Sequence, residues 1–147
     1  MYKYYKKLLW LRDRQVPLEN IHLFISPLSE NREFIPKDLL FEEATEQNIT
    51  NFIEKELTQY EYDLLYLHWG GHGVITTTGE RRLFYADATI ENKKNLNLNA
   101  LLDFLRTDYF HNRTLSRQII FVDACANYMG VCSQFDVKVY ATVGIPW

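Results

Sequence analysis

Apolar positions recur along this chain in two ways, as stripes spaced three and four apart and as short unbroken runs. The clearest stripe is Ile49, Phe52, Ile53 and Leu57. It predicts a helix over 46–59, with the Thr45 hydroxyl placed to cap the first turn. Leu98, Leu101, Leu102 and Leu105 predict a second helix over 96–107, with Asn97 or Asn99 as its cap. Near the start, Tyr5, Leu8, Leu9 and Arg12 fall at helical spacing and predict a helix over 2–14. Leu8-Leu9-Trp10-Leu11 also suits a short strand, and Pro17 ends the pattern.

The unbroken runs read as strands: 21–25, closed by Ser26-Pro27, then 63–69, 119–122 and 137–143. Residues 82–85 suit one arm of a hairpin after a turn at 76–79, and the polar stretch 29–38, with Pro36, suits a loop. Strands that are apolar throughout and alternate with helices predict an α/β fold. Its central sheet would be mostly parallel, with helices on both faces. In open sheets of that kind, ligands lie beyond the carboxyl ends of the strands.

Composition narrows the class. With 147 residues, 47% of them hydrophobic, one domain over 1–147 is expected, a helical extension over 1–19 preceding a core over 20–147. A domain near this size buries roughly 70% of its unfolded surface, enough to hold a core without disulfide or metal. The net charge of −3 and the lack of a long basic run argue against direct nucleic-acid binding. Lys3, Lys6 and Lys7, interleaved with Tyr2, Tyr4 and Tyr5, read as a solvated helix face. Two cysteines are too few for a secreted disulfide scaffold. Charged residues interrupt every apolar run near the start, and no stretch reaches the roughly 18–20 apolar residues of a membrane span. A cytoplasmic chain with no membrane partner is expected, in which a thiol stays reduced.

Candidate chemistry sits just past two of the predicted strands. His72 follows the first, within Gly70-Gly71-His72-Gly73, and Cys125 follows the second, within Asp123-Ala124-Cys125. Both would therefore reach the same rim of the sheet. Cysteine attack on a carbonyl needs a thiolate, an imidazole beside it and amide donors for the developing oxyanion. Glycines around His72 allow a substrate backbone to approach closely, and the amides of Gly73 and Cys125 are candidate oxyanion donors. Cys125 comes 53 residues after His72, an order that excludes the papain arrangement of Cys before His.

Other readings of these residues are weaker. His68 and His72 are four apart, as in helical zinc sites, but the segment reads as strand and turn. A site of His68, His72 and Cys125 would also want a fourth ligand, so no metal and no cofactor are expected. A phosphate cradle needs spaced glycines opening a helix, whereas Val74 and the Thr76-Thr77-Thr78 run favour extended chain. His22 and His111 read as structural, and Cys132 as a spare core thiol beside a redox-partner alternative.

The blocks Leu64-Leu65-Tyr66-Leu67-His68-Trp69-Gly70-Gly71-His72-Gly73 and Ile119 to Asn127 resemble those of the caspase-like cysteine peptidases, closest to the bacterial caspase-related branch called CHAT. Leu83-Phe84-Tyr85-Ala86-Asp87-Ala88 and the leucine-rich helix also follow that family's order, and the resemblance spans 21–143. It implies a three-layer caspase-like sandwich, with His72 as general base and acid and Cys125 as nucleophile in a peptidase acting through a thioester. It also puts Asp123, two before the nucleophile, in or near the pocket for the substrate residue ahead of the cleaved bond. A carboxylate there suits Lys or Arg. The implied partners are a protein substrate and a sensor or regulatory domain, in a regulated defence or signalling system.

Two departures accompany the likeness. Asn127 stands where caspases have glycine, and relatives continue past the point matching Trp147 into a second, smaller subunit. The expectation is a large-subunit portion whose sheet a second chain completes. The alternative is an inactive scaffold or binding module of the same fold.

Overall fold

The computed structural model describes residues 10–11, 13–35, 40–60, 64–106, 117–125, 127–128 and 140–144, the last two stretches as backbone. The architecture is mixed α/β. Trp10, Leu11 and Asp13 are helical, ending where the Arg14 amide donates to the Trp10 and Leu11 carbonyls. The rest of the predicted first helix lies outside the described residues. Leu11 and Val16 are buried.

Eight strands follow among the described residues: β1 (Ile21–His22), β2 (Leu64–Gly71), β3 (Gly73–Ile75), β4 (Arg81–Phe84), β5 (Asn95–Asn97), β6 (Arg117–Ala124), β7 (Asn127–Tyr128) and β8 (Tyr140–Gly144). They form two sheets, in the orders β1-β8-β2-β6 and β5-β4-β3-β7. Parallel pairing holds for β2 with β6 and for β3 with β7. β8 instead runs antiparallel between β1 and β2, so the first sheet is mixed where a mostly parallel one was expected. An apolar run reports that both faces of a strand are covered; it carries no information about the direction of its neighbours.

The helical predictions hold with altered detail. Helix α1 (Glu46–Asn51) begins where Thr45 Oγ1 accepts from the Asn48 amide at 3.3 Å. It continues as a π turn, Phe52–Glu56, and a 3-10 turn, Leu57–Gln59. Helix α2 (Leu98–Phe104) is capped by Asn97, whose Oδ1 accepts from the amides of Asn99 at 3.1 Å and Ala100 at 3.2 Å. The predicted loop over 29–38 contains a 3-10 helix, Ser29–Phe34. The predicted strand over 21–25 shrinks to β1 plus a bridge from Phe24 to Glu42.

Ile49, Phe52, Ile53 and Leu57 pack with Leu65, Leu67 and Trp69 of β2 in a single core, which Leu98, Leu101 and Leu105 complete. The odd-numbered side chains of β2 thus face the helices. Tyr66 lies on the other face, its ring 6.1 Å from Trp10 and 5.5 Å from Phe121. This two-sided packing holds β2 in place and with it the turn after Gly71. β6 departs from the buried strand expected of it. Ile119, Phe121 and Val122 are 42%, 51% and 39% exposed, and β2 is its hydrogen-bonded neighbour among the described residues. No helix among the described residues is long and apolar enough to cross a membrane.

Candidate active site

The geometry begins with strand register. β2 and β6 run parallel from Leu64 opposite Arg117 to Gly71 opposite Ala124, an offset of 53 residues throughout. Beyond the break the same two chain segments pair again as β3 and β7, Val74 opposite Asn127, with the same offset. His72 and Cys125 occupy the gap between these ladders, at matched positions. Residues in register on parallel strands project to the same face. That sets Gly70 beside Asp123 on the face that carries Tyr66, His68, Ile119 and Phe121.

Gly73 shows how tight this junction is. A Cβ there would lie 3.1 Å from the carbonyl oxygens of Arg82 and Cys125 and 3.2 Å from Leu83 Cδ2. The Phe84 amide donates to the His72 carbonyl at 3.0 Å. With Gly73 opposite Leu83, this makes a non-hydrogen-bonded pair, in which the Gly73 amide turns away from β4 and toward the Cys125 side. The hairpin behind it is held at its tip, where the Gly79 amide donates to the Thr76 carbonyl and Gly79 takes φ 83°. Hydrogen bonds from Arg82 at 2.7 Å and Asn97 at 3.0 Å bind the Glu80 carboxylate and keep it below its ordinary pKa. They tie the hairpin to the start of α2.

His72 is half-buried, and Cys125 is an exposed free thiol. His72 and Cys125 stand at matched register positions where the two ladders break. Asp123 is exposed beside them, and Gly70 across from it contributes no side chain to crowd the carboxylate. On the helix side of β6, a cavity of about 370 Å³ opens between Val122, Ala124 and Cys125, the hairpin residues Val74 and Leu83, and Leu102 of α2. Sequence reasoning did not find this hollow, because its lining comes from four separate elements. The leucine stripe of α2 was its one visible trace.

The remaining candidates fall away from the site. His68 is buried in β2, opposite Phe121. Among the described residues no three His, Cys, Asp or Glu side chains gather to hold a metal ion. His22 shares a 2.9 Å hydrogen bond with the Tyr60 hydroxyl and stacks on Phe52, a structural role. Asn127 enters β7 as backbone opposite Val74. Cys132 and His111 lie outside the described residues.

No protein-family model, curated protein or solved structure matches this chain.

Proposed function

We propose that this chain is a caspase-like cysteine endopeptidase domain in which His72 and Cys125 form the catalytic dyad. The observation that carries the reading is the unbroken 53-residue offset on both sides of the pair, which sets a histidine and a cysteine side by side where two strands end. The three-layer caspase sandwich, with its sheet extended beyond β6, belongs to the same proposal.

In the reaction, His72 takes the thiol proton and the Cys125 sulfur bonds to the carbonyl carbon of the substrate. The carbonyl oxygen takes up the displaced electron pair, and the amides of Gly73 and Cys125 donate to it. The Gly73 amide, turned toward Cys125, supports that role. His72 then returns its proton to the leaving amine as the C–N bond breaks, leaving a thioester. Water, deprotonated by His72, attacks the thioester and releases the acid, and the thiol regains its proton. Asp123 pairs with a Lys or Arg of the substrate, its carboxylate accepting charge-assisted hydrogen bonds.

The test is covalent labelling by a peptide with Arg or Lys next to an electrophilic carbonyl. Mass spectrometry should find the label on Cys125 and not on Cys132. Cys125→Ala abolishes labelling, and His72→Ala slows it by about a hundredfold or more. Asp123→Asn lowers the preference for basic probes over neutral ones. Labelling indifferent to His72→Ala means an ordinary exposed thiol and sinks the proposal. Partner capture that survives Cys125→Ala, with no labelling of the wild type, would establish the scaffold alternative instead.

A further inference from the structure

Glu80 closes the hairpin between β3 and β4, and Arg82 lies two residues further on, in β4. Side chains two apart on a strand share a face. The Glu80 carboxylate accepts from Arg82 Nη2 at 2.7 Å. Arg82 in turn stands opposite Asn97 of β5, whose side-chain amide donates to the other Glu80 oxygen at 3.0 Å. Arg82 Nη1 reaches Asn95 Oδ1 at 3.5 Å, so one guanidinium spans β4 and β5. Asn97 Oδ1 meanwhile caps α2, whose Leu98 and Leu101 are buried in the core. The clasp is thereby anchored to the body of the domain. Its ion pair, with side chains 31% and 38% exposed, adds little to stability. What such a pair fixes is position.

The backbone of the same residues leads to the reaction centre. The Glu80 amide donates to Thr76 Oγ1 at 3.0 Å, and its carbonyl accepts from the Thr76 amide at 2.9 Å. Further along, Arg82 stands opposite Val74, and its carbonyl oxygen lies 3.1 Å from the Cβ position of Gly73. The Cys125 carbonyl oxygen lies equally close to that position. Gly73 is thus wedged between β4 and the chain at Cys125. A shift of Arg82 moves Gly73, and with it the amide that turns toward Cys125.

We infer that Glu80, Arg82 and Asn97 are positioning residues, a clasp that sets β4 and so holds the Gly73 amide where the substrate's oxyanion develops. The inference rests on the peptidase reading of His72 and Cys125. The three side chains act through the backbone of β3 and β4 and not on the substrate.

Two reagents separate such a clasp from general damage. The basic peptide with an electrophilic carbonyl draws on the oxyanion donors, whereas iodoacetamide alkylates the thiolate by displacing iodide and develops no oxyanion. Mass spectrometry follows both rates at Cys125 in the full chain. Glu80→Ala and Arg82→Ala should each slow the peptide by about tenfold, because rate amplifies small displacements of a reacting geometry, and leave iodoacetamide within about twofold. Asn97→Asp keeps an oxygen to cap α2 but faces Glu80 with a second carboxylate, and should match them. The double variant Glu80→Ala/Arg82→Ala should be no slower than either single, since both remove one shared interaction. Unchanged peptide rates, equal losses with both reagents, or losses that add in the double variant would each overturn the inference and leave the peptidase reading in place. A wild type that the peptide does not label, or labels without regard to His72, removes both.

Discussion

Two glycines illustrate how differently single residues are constrained here. At Gly73 the limit is space, because backbone carbonyls of Arg82 and Cys125 stand where a methyl group would go. Carbonyls held in paired strands cannot rotate aside as a flexible side chain would. Gly73→Ala should therefore push the ends of β2 and β6 apart, at a cost of about 1–3 kcal/mol in urea unfolding. It should also lower labelling of Cys125 even in protein that remains folded. At Gly79 the limit is conformation, since φ is 83° and the position opens to empty space. Gly79→Ala should cost about 1 kcal/mol and leave labelling unchanged. Equal effects of the two substitutions on labelling would contradict this account of the junction. Gly70-Gly71-His72-Gly73 suggested room for a substrate backbone; at Gly73 the backbone that comes close is the protein's own, and this was not legible because Cys125 and Arg82 reach it from distant parts of the chain.

Caps decide where the elements begin, and local chemistry made them readable. Thr45 accepts from the Asn48 amide, as its place before the apolar stripe predicted, and Asn97 rather than Asn99 caps α2. The choice between those asparagines follows from tertiary contacts. The Asn97 amide group also donates to Glu80, while Asn99 Oδ1 accepts from the Arg81 amide. Asn97 thus joins a helix start to the hairpin, so Asn97→Ala loses more than a cap. Thermal unfolding should show a loss of about 1–2 kcal/mol, near the top of the range for cap removal. A similar loop-to-helix clasp was not legible. Lys94 reaches Asp87 at 2.7 Å, while Asp87 Oδ1 accepts from the Glu46 amide at 3.0 Å. Burial alone would raise the Asp87 carboxyl, but these hydrogen bonds outweigh it and hold it below the ordinary range. The three residues are too far apart in sequence to be paired by pattern.

For the molecule as a whole, His22 links stability to pH. It sits in β1, stacked on Phe52 and bonded to Tyr60, and so joins the edge of the first sheet to the end of the α1 segment. Burial lowers its pKa and outweighs the opposing pull of Glu56. The folded state therefore keeps the imidazole neutral, while the unfolded chain takes up a proton near pH 6.5. Stability should fall as pH drops below about 6.5 and level off once the folded imidazole is also protonated. Urea midpoints measured between about pH 7.5 and 5.5 should show this slope. His22→Gln should flatten it, and an unchanged slope would assign the effect to other groups.

What the chain determined by itself is local. The stripe of Ile49, Phe52, Ile53 and Leu57, the hairpin turn at Gly79 and the strand ends that carry His72 and Cys125 all follow from periodicity and backbone preference. These act over a few residues, so neighbours in sequence suffice to reveal them. Tertiary structure alone decided that β8 enters antiparallel between β1 and β2, that Ile119, Phe121 and Val122 of β6 are exposed, and that a hollow opens beside Cys125. Each depends on which distant segments meet, and an apolar run favours burial without specifying a partner. The 53-residue offset joins the two scales: it could be counted along the chain, but only hydrogen bonding between β2 and β6 turns a count into two side chains at the same height.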